Sequence, residues 1–236
     1  MEREWVPELI VWLRQRLIEL CRTISQPIPF SGLRISPQLG IEESKYFLMG
    51  LESGLFWADS SGAVRTELLL GPSRGAVRQK VCVIFSYDPL PPRLVRERIC
   101  LLSTASALVT KRGWLPIHIE IEPDLRDASN QAYGIDLLIK SRDGRILTSV
   151  EVKRSLPELQ KLALDLRACC ARGPHSRTDC GFPQNHPNYE FCASYKPTYF
   201  WAVAPDADIC FRMKYHGPVI EVEELKSLPP RSLMES

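Results

Sequence analysis

The feature that most constrains this chain is an Asp-Gly pair set between two apolar runs. Ile135 to Ile139 and Ile146 to Val152 are rich in β-favouring residues and are joined by Ser141-Arg142-Asp143-Gly144-Arg145. Asp-Gly accepts the left-handed backbone that a tight hairpin turn requires, so the segment predicts two antiparallel strands. With Asp143-Gly144 as a two-residue turn, the numbers of paired residues sum to 287, and Asp136 falls directly opposite Glu151. Opposed residues share a face of the sheet, and Lys153 joins them because strand side chains alternate with period two. Two carboxylates and one ammonium therefore meet on an otherwise apolar ribbon.

That combination has a definite chemistry. Two carboxylates a few ångströms apart repel each other and favour a divalent cation between them, with Mg²⁺ the hard, oxygen-seeking default and Mn²⁺ its substitute. A neighbouring ammonium can orient an attacking water and stabilise charge developing on a phosphoryl oxygen. Gly134-Ile135-Asp136 followed by Glu151-Val152-Lys153 resembles the PD-(D/E)XK nuclease superfamily, in which an Asp on one strand precedes Glu-x-Lys on the next. Ile135 stands where the family's eponymous Pro would be. The resemblance implies an α/β, restriction-endonuclease-like fold, an αβββαβ core with a mixed central sheet flanked by helices. It also implies Mg²⁺-dependent hydrolysis of nucleic-acid phosphodiester bonds, DNA first, in a restriction, defence or repair setting. Asp136, Glu151 and the backbone carbonyl of Val152 would then hold the metal, and Lys153 would act on water. Glu97 and Gln160 occupy the helices before and after this element, where some members carry a further acid or a glutamine. A solvated role is the simpler account of each. The alternative from another class is a catalytically idle nucleic-acid-binding or assembly module that keeps the fold. The plainest account is a surface cross-strand ion pair worth about 0.5 kcal/mol.

Context separates this Glu-x-Lys from two others, Glu43-Ser44-Lys45 and Glu224-Leu225-Lys226. The first has no Asp anywhere before it, and the third lies in an acidic, Pro-flanked tail. Around the middle one, Arg93 to Val109 reads as an amphipathic helix entered through Pro89, Pro91 and Pro92. Trp114 to Glu122 alternates as a half-buried strand, with Leu115, Ile117, Ile119 and Ile121 on one face. After Lys153, Ser155 and Pro157 suit a helix start, and Leu159, Leu162, Ala163, Leu166 and Cys169 or Cys170 form its apolar stripe. Asn188 to Tyr195 reads as a short helix, and Thr198 to Val203 and Ile209 to Tyr215 as strands. The run Tyr199-Phe200-Trp201-Ala202-Val203 fits a strand buried on both faces.

Cys169, Cys170, His175, Cys180, His186 and Cys192 crowd one region. They lack the Cys-x-x-Cys knuckle of common zinc sites, so the spacing argues for packing rather than a metal. Cysteines 169, 170 and 192 fit buried helix faces.

At 236 residues and 44% hydrophobic, the chain can bury a sizeable core. Met1 to Trp5 opens directly into a helix with Leu9, Leu13, Leu17 and Leu20 on one side, without a leader pattern, and no apolar run reaches membrane-spanning length. The eight cysteines then read as reduced thiols of a cytoplasmic protein. Net charge is only +2, but residues 65–112 and 140–177 each hold nine basic residues, against three and four acids, which suggests a basic rim for phosphates. The expected organisation is an N-terminal α+β extension over residues 1–87, a nuclease-like core over 88–216 and a poorly ordered tail over 217–236. Within the extension, Glu42 to Met49 suits a helix, and a hairpin is expected around Ser60-Ser61-Gly62, before a break at Gly71 to Gly75. By analogy with the superfamily, such an extension serves a homodimer, a protein partner or target choice.

Overall fold

The protein is known from a computed structural model that describes residues 3–28, 33–59, 63–66, 68–70, 81–82, 84–86, 92–127 and 129–234. Helix α1 (Trp5–Thr23) buries Leu9, Leu13, Leu17 and Leu20 along one stripe, as their spacing requires. Helix α2 (Ile41–Glu52) follows, then the short strands β1 (Phe56–Ala58), β2 (Val64–Thr66), β3 (Leu69–Leu70), β4 (Val81–Cys82), β5 (Phe85–Ser86) and β6 (Arg93–Leu94). Next come α3 (Arg96–Thr110), β7 (Ile119–Ile121), β8 (Leu137–Lys140) and β9 (Ile146–Val152). The chain continues through α4 (Leu156–Arg172), α5 (His186–Tyr195), β10 (Tyr199–Ala204), β11 (Ala207–His216), β12 (Val219–Leu225) and α6 (Arg231–Met234). The expected turn at Ser60-Ser61-Gly62, the break at Gly71 to Gly75, and Pro89 and Pro91 lie outside the described residues, although β1 and β2 do pair antiparallel.

The protein is mixed α/β, built on a seven-stranded mixed sheet in the order β12-β11-β10-β9-β8-β7-β3. Strands β9 and β10 run parallel, as do β3 and β7, and the remaining neighbours are antiparallel. Central β9 and its neighbour β10 are buried along almost their whole length, as continuous apolar runs demand when helices cover both faces. One face packs under α1, α2 and α3 through Leu137, Ile139, Val150, Val152, Trp201 and Val203. The other packs under α4 and α5 through Leu138, Phe200, Ala202 and Phe211. Residues of α1 and α2 thus share one apolar core with the sheet. No described helix is long and apolar enough to cross a membrane.

Two elements differ from expectation. The strand read over Trp114 to Glu122 is confined to Ile119–Ile121, because Pro116 opens a 3₁₀ turn over Pro116–His118. Leu115 and Ile117 are consequently exposed, and His118 is buried with Nδ1 3.0 Å from the Lys140 carbonyl. The expected tail instead supplies β12, paired along its length with β11, and α6, whose Met234 is buried. Its acidic residues face cations there: Glu221 and Glu223 each lie 3.2 Å from Lys214.

The N-terminal helices are tied to the sheet at one further point. Asp206, in the Pro205-Asp206 turn between β10 and β11, accepts the backbone N–H groups of Ile41 at 2.7 Å and Glu42 at 2.8 Å. This carboxylate caps α2 from elsewhere in the chain, and Gly40 permits it, since a Cβ there would collide with Asp206. Asp206 has φ +56°, the left-handed region that Asn tolerates better than Ala. Asp206→Ala should therefore cost about 1–2 kcal/mol in urea denaturation, whereas Asp206→Asn, which keeps an acceptor and the turn, should cost less. Equal losses would show that capping is not what Asp206 contributes.

Candidate functional site

Strands β8 and β9 pair as Leu137↔Val150, Leu138↔Ser149 and Ile139↔Thr148, so the register sum is 287, as the two-residue turn predicted. The route to it differs. The turn spans Arg142 to Gly144 and is closed by the Ser141 N–H on the Arg145 carbonyl at 2.9 Å, with Gly144 at φ +83°. Lys140 consequently pairs with Ile146, and a bulge between Ile139 and Lys140 absorbs Leu147 as an extra residue. A turn one residue longer and a bulge of one residue cancel. Asp136 extends the ladder beyond β8, its carbonyl accepting the Glu122 N–H at 2.8 Å.

Glu151 lies on the face packed under α4 and α5, paired with Ala202, and Asp136 and Lys153 flank it just beyond the ends of β8 and β9. Asp136 Oδ2 accepts the Val152 N–H at 2.7 Å, and Lys153 Nζ lies 2.7 Å from Glu151 Oε1. Glu151 is only 8% exposed, and its Oε2 is buried without a hydrogen-bond partner among the described residues. Burial, then the Glu151 charge, pushes the Asp136 carboxyl well above the ordinary range, against the Val152 N–H and Lys153. Burial likewise raises Glu151, opposed mainly by Lys153. For Lys153, burial works against the ammonium, but Glu151, Asp136 and Glu97 outweigh it, so its pKa is raised. The result is a partly desolvated pair of acids with a charged lysine at one end, a local deficit of positive charge. The donors are carboxylate oxygens, the kind a hard divalent cation selects.

The other residues singled out from sequence divide. Glu97, in the first turn of α3, is exposed, yet its charge acts on Asp136, Glu151 and Lys153. Gln160 is exposed on α4 and makes no hydrogen bond to the acidic pair. Val152 contributes its N–H to Asp136. A residue that sequence reasoning missed is Asn188, buried on α5, whose amide favours the ionised form of Glu151. It lies beyond a long loop, and no local pattern marks it.

The two remaining Glu-x-Lys elements are accounted for structurally. Glu43 is buried against Arg96, and Glu224 pairs with Arg167. Much of the expected basic rim is paired as well: Arg154 lies 2.6 Å from Glu158 and Lys161 2.5 Å from Asp165. Arg142 and Arg145 remain exposed at the hairpin tip. A cleft of about 240 Å³ lies elsewhere, between α2, α3 and the β10–β11 turn, and is not lined by Asp136, Glu151 or Lys153. Cys170 and Cys192 pack in the core as expected, whereas Cys169, His175, Cys180 and His186 converge despite their irregular spacing. No protein-family model matches the chain, and no curated protein matches it.

Proposed function

We propose that this chain is a divalent-metal-dependent nuclease with a restriction-endonuclease-like core, hydrolysing phosphodiester bonds of DNA. The element order α3-β7-β8-β9-α4-β10, with α5 inserted, supports that core. The observation that carries the reading is the acidic pair itself. Asp136, one residue before β8, and Glu151 on β9 stand beside each other, each held above its ordinary pKa by burial, with one Glu151 oxygen buried and without a partner among the described residues. A solvated surface pair would show none of this.

Asp136 and Glu151 would hold Mg²⁺ or Mn²⁺, with the Val152 carbonyl as a further oxygen donor. When bound, the ion supplies Lewis-acid charge at the phosphoryl group and a more acidic water. Lys153 has a role of its own. Glu151 and Asp136 favour its ammonium over burial, so it is placed as a hydrogen-bond donor. With one N–H directed at Glu151, the others are free to orient the water and to meet charge growing on a phosphoryl oxygen.

The test is direct. Plasmid and single-stranded DNA incubated with the protein and Mg²⁺ or Mn²⁺ should be cut, and EDTA should stop it. Lys45→Ala and Lys226→Ala, in the two structural Glu-x-Lys elements, should retain activity within about twofold, because surface substitutions of this kind are near neutral. Tight DNA binding with no cleavage under either metal would instead favour the idle binding module.

A further inference from the structure

We propose that Cys169, His175, Cys180 and His186 form a structural zinc site that pins the α4–α5 loop to the sheet. The four side chains come from the last turns of α4, the loop over residues 173–185 and the first residue of α5, in a Cys-x5-His-x4-Cys-x5-His order. One ligand atom from each lies within 4.8 Å of all the others, and among the described residues no other Cys, His, Asp and Glu side chains gather in this way. A tetrahedral zinc with thiolate and imidazole ligands has ligand-to-ligand edges of about 3.3–3.8 Å, so a small contraction suffices. The Cys169 and Cys180 sulfurs are already 3.4 Å apart.

The surrounding hydrogen bonds point to a ligand rather than to packing. His175 Nδ1 lies 2.6 Å from the Gly173 carbonyl, which leaves Nε2 as the ring's lone-pair nitrogen, and that atom is buried without a partner among the described residues. Metal-bound histidines are characteristically oriented in this way, by a carbonyl or carboxylate on the other nitrogen. His186 is fully buried with neither ring nitrogen in a hydrogen bond among the described residues, while the Glu190 carboxylate stands 3.3 Å from Nε2. Contraction there would give the same carboxylate-to-imidazole support and leave Nδ1 for the metal. The Phe182 N–H points at the Cys180 sulfur from 3.3 Å, a donor suited to a thiolate. Orphaned buried imidazoles are costly unless something binds them. Two sulfurs and two imidazoles in a closed tetrahedral set select zinc over the hard cation of the acidic pair, with no open position for chemistry.

The site bears on the rest of the fold through α5. His186 is its first residue, and Asn188, two residues on, is buried close enough to Glu151 to favour its carboxylate. Zinc would hold this helix start in place whether or not the acidic pair cleaves anything.

The full-length protein, purified without metal-affinity chromatography or chelator, should contain one zinc per chain by elemental analysis. Cys169→Ser, Cys180→Ser, His175→Ala and His186→Ala should each lose it, while Cys170→Ala and Cys192→Ala keep it. Should the ligand variants fail to fold, wild-type protein exchanged with Co²⁺ decides the matter. Intense tetrahedral visible bands with a thiolate charge-transfer band are expected, and chelation should lower the melting temperature by several degrees. Wild-type protein that takes up neither zinc nor cobalt overturns the proposal, as does zinc retained by the Cys169→Ser/Cys180→Ser double variant. Isolation of a metal-free Cys169–Cys180 disulfide under reducing purification overturns it equally.

Discussion

Asp136→Asn should lower DNA cleavage by at least about 10²-fold, the scale on which single charge-stabilising groups act in a transition state, while making the metal-free protein harder to unfold. The two effects have one origin. In the folded protein burial and Glu151 hold the Asp136 pKa well above its unfolded value, so ionising it costs stability. A carboxyl raised in this way adds no penalty in acid, below its unfolded pKa. The penalty grows as pH rises from the unfolded towards the folded pKa and is constant above it. Asparagine removes the charge but keeps an oxygen for the Val152 N–H, so its stabilising effect in EDTA should appear towards neutral pH and fade in acid. Mg²⁺ should raise the melting temperature of the wild type and leave Asp136→Asn unmoved. Lys153→Ala should behave differently, losing activity and stability together, because it strips Glu151 of its ion-pair partner. If Asp136→Asn cleaves as well as wild type, the acidic pair is not the site.

Much of this site was legible because a hairpin couples sequence to register so tightly. Asp143-Gly144 and the two apolar runs were sufficient to set Leu137 opposite Val150, the register that brings Asp136 beside Glu151. What they could not convey was the mechanism: Leu147 has no feature that marks it as the extra residue of a bulge, and the longer turn at Arg142 to Gly144 is chemically as reasonable as the shorter one. Alternation misled over Trp114 to Glu122, where the pattern was strand-like but Pro116, lacking an N–H and fixed in φ, turned the segment before it could pair. The last strand was hidden for the opposite reason. Glu221, Glu223 and Glu224 read as solvated acids until β11 and α4 supply Lys214, Arg212 and Arg167 beside them. Asn188 and the Cys169, His175, Cys180, His186 cluster depend on how a loop folds back. Side chains drawn from one helix end, one loop and the next helix start carry no periodicity, so absence of a regular knuckle spacing was a poor guide to where they meet.

The largest loss of stability should come not from the acidic pair but from Arg96. Its guanidinium is almost fully buried against an equally buried Glu43, and it also donates to the carbonyls of Pro37 at 3.1 Å and Gln38 at 3.0 Å. Glu43 Oε2 in turn accepts the Gly40 N–H at 3.0 Å, so this one pair binds the segment before α2, α2 itself and the start of α3. Arg96→Met would leave a carboxylate desolvated and unpaired, at a cost of about 3–5 kcal/mol, readable as a shift in urea midpoint. Removing both charges is a different perturbation. Glu43→Met/Arg96→Met should recover a substantial part of the loss, since the isolated buried charge, not the absent ion pair, is what destabilises. The pH dependence gives an independent check. Burial already lifts the Glu43 carboxyl above its usual range, with Arg96 pulling it back, so without Arg96 the folded-state pKa rises further above the unfolded value. The deficit of Arg96→Met should then be largest near neutral pH and shrink as acid protonates Glu43, whereas the double variant should show no such dependence. A single-variant loss that is small and flat with pH would mean that Arg96 reaches solvent and that the N-terminal helices are held by Asp206 and apolar packing alone.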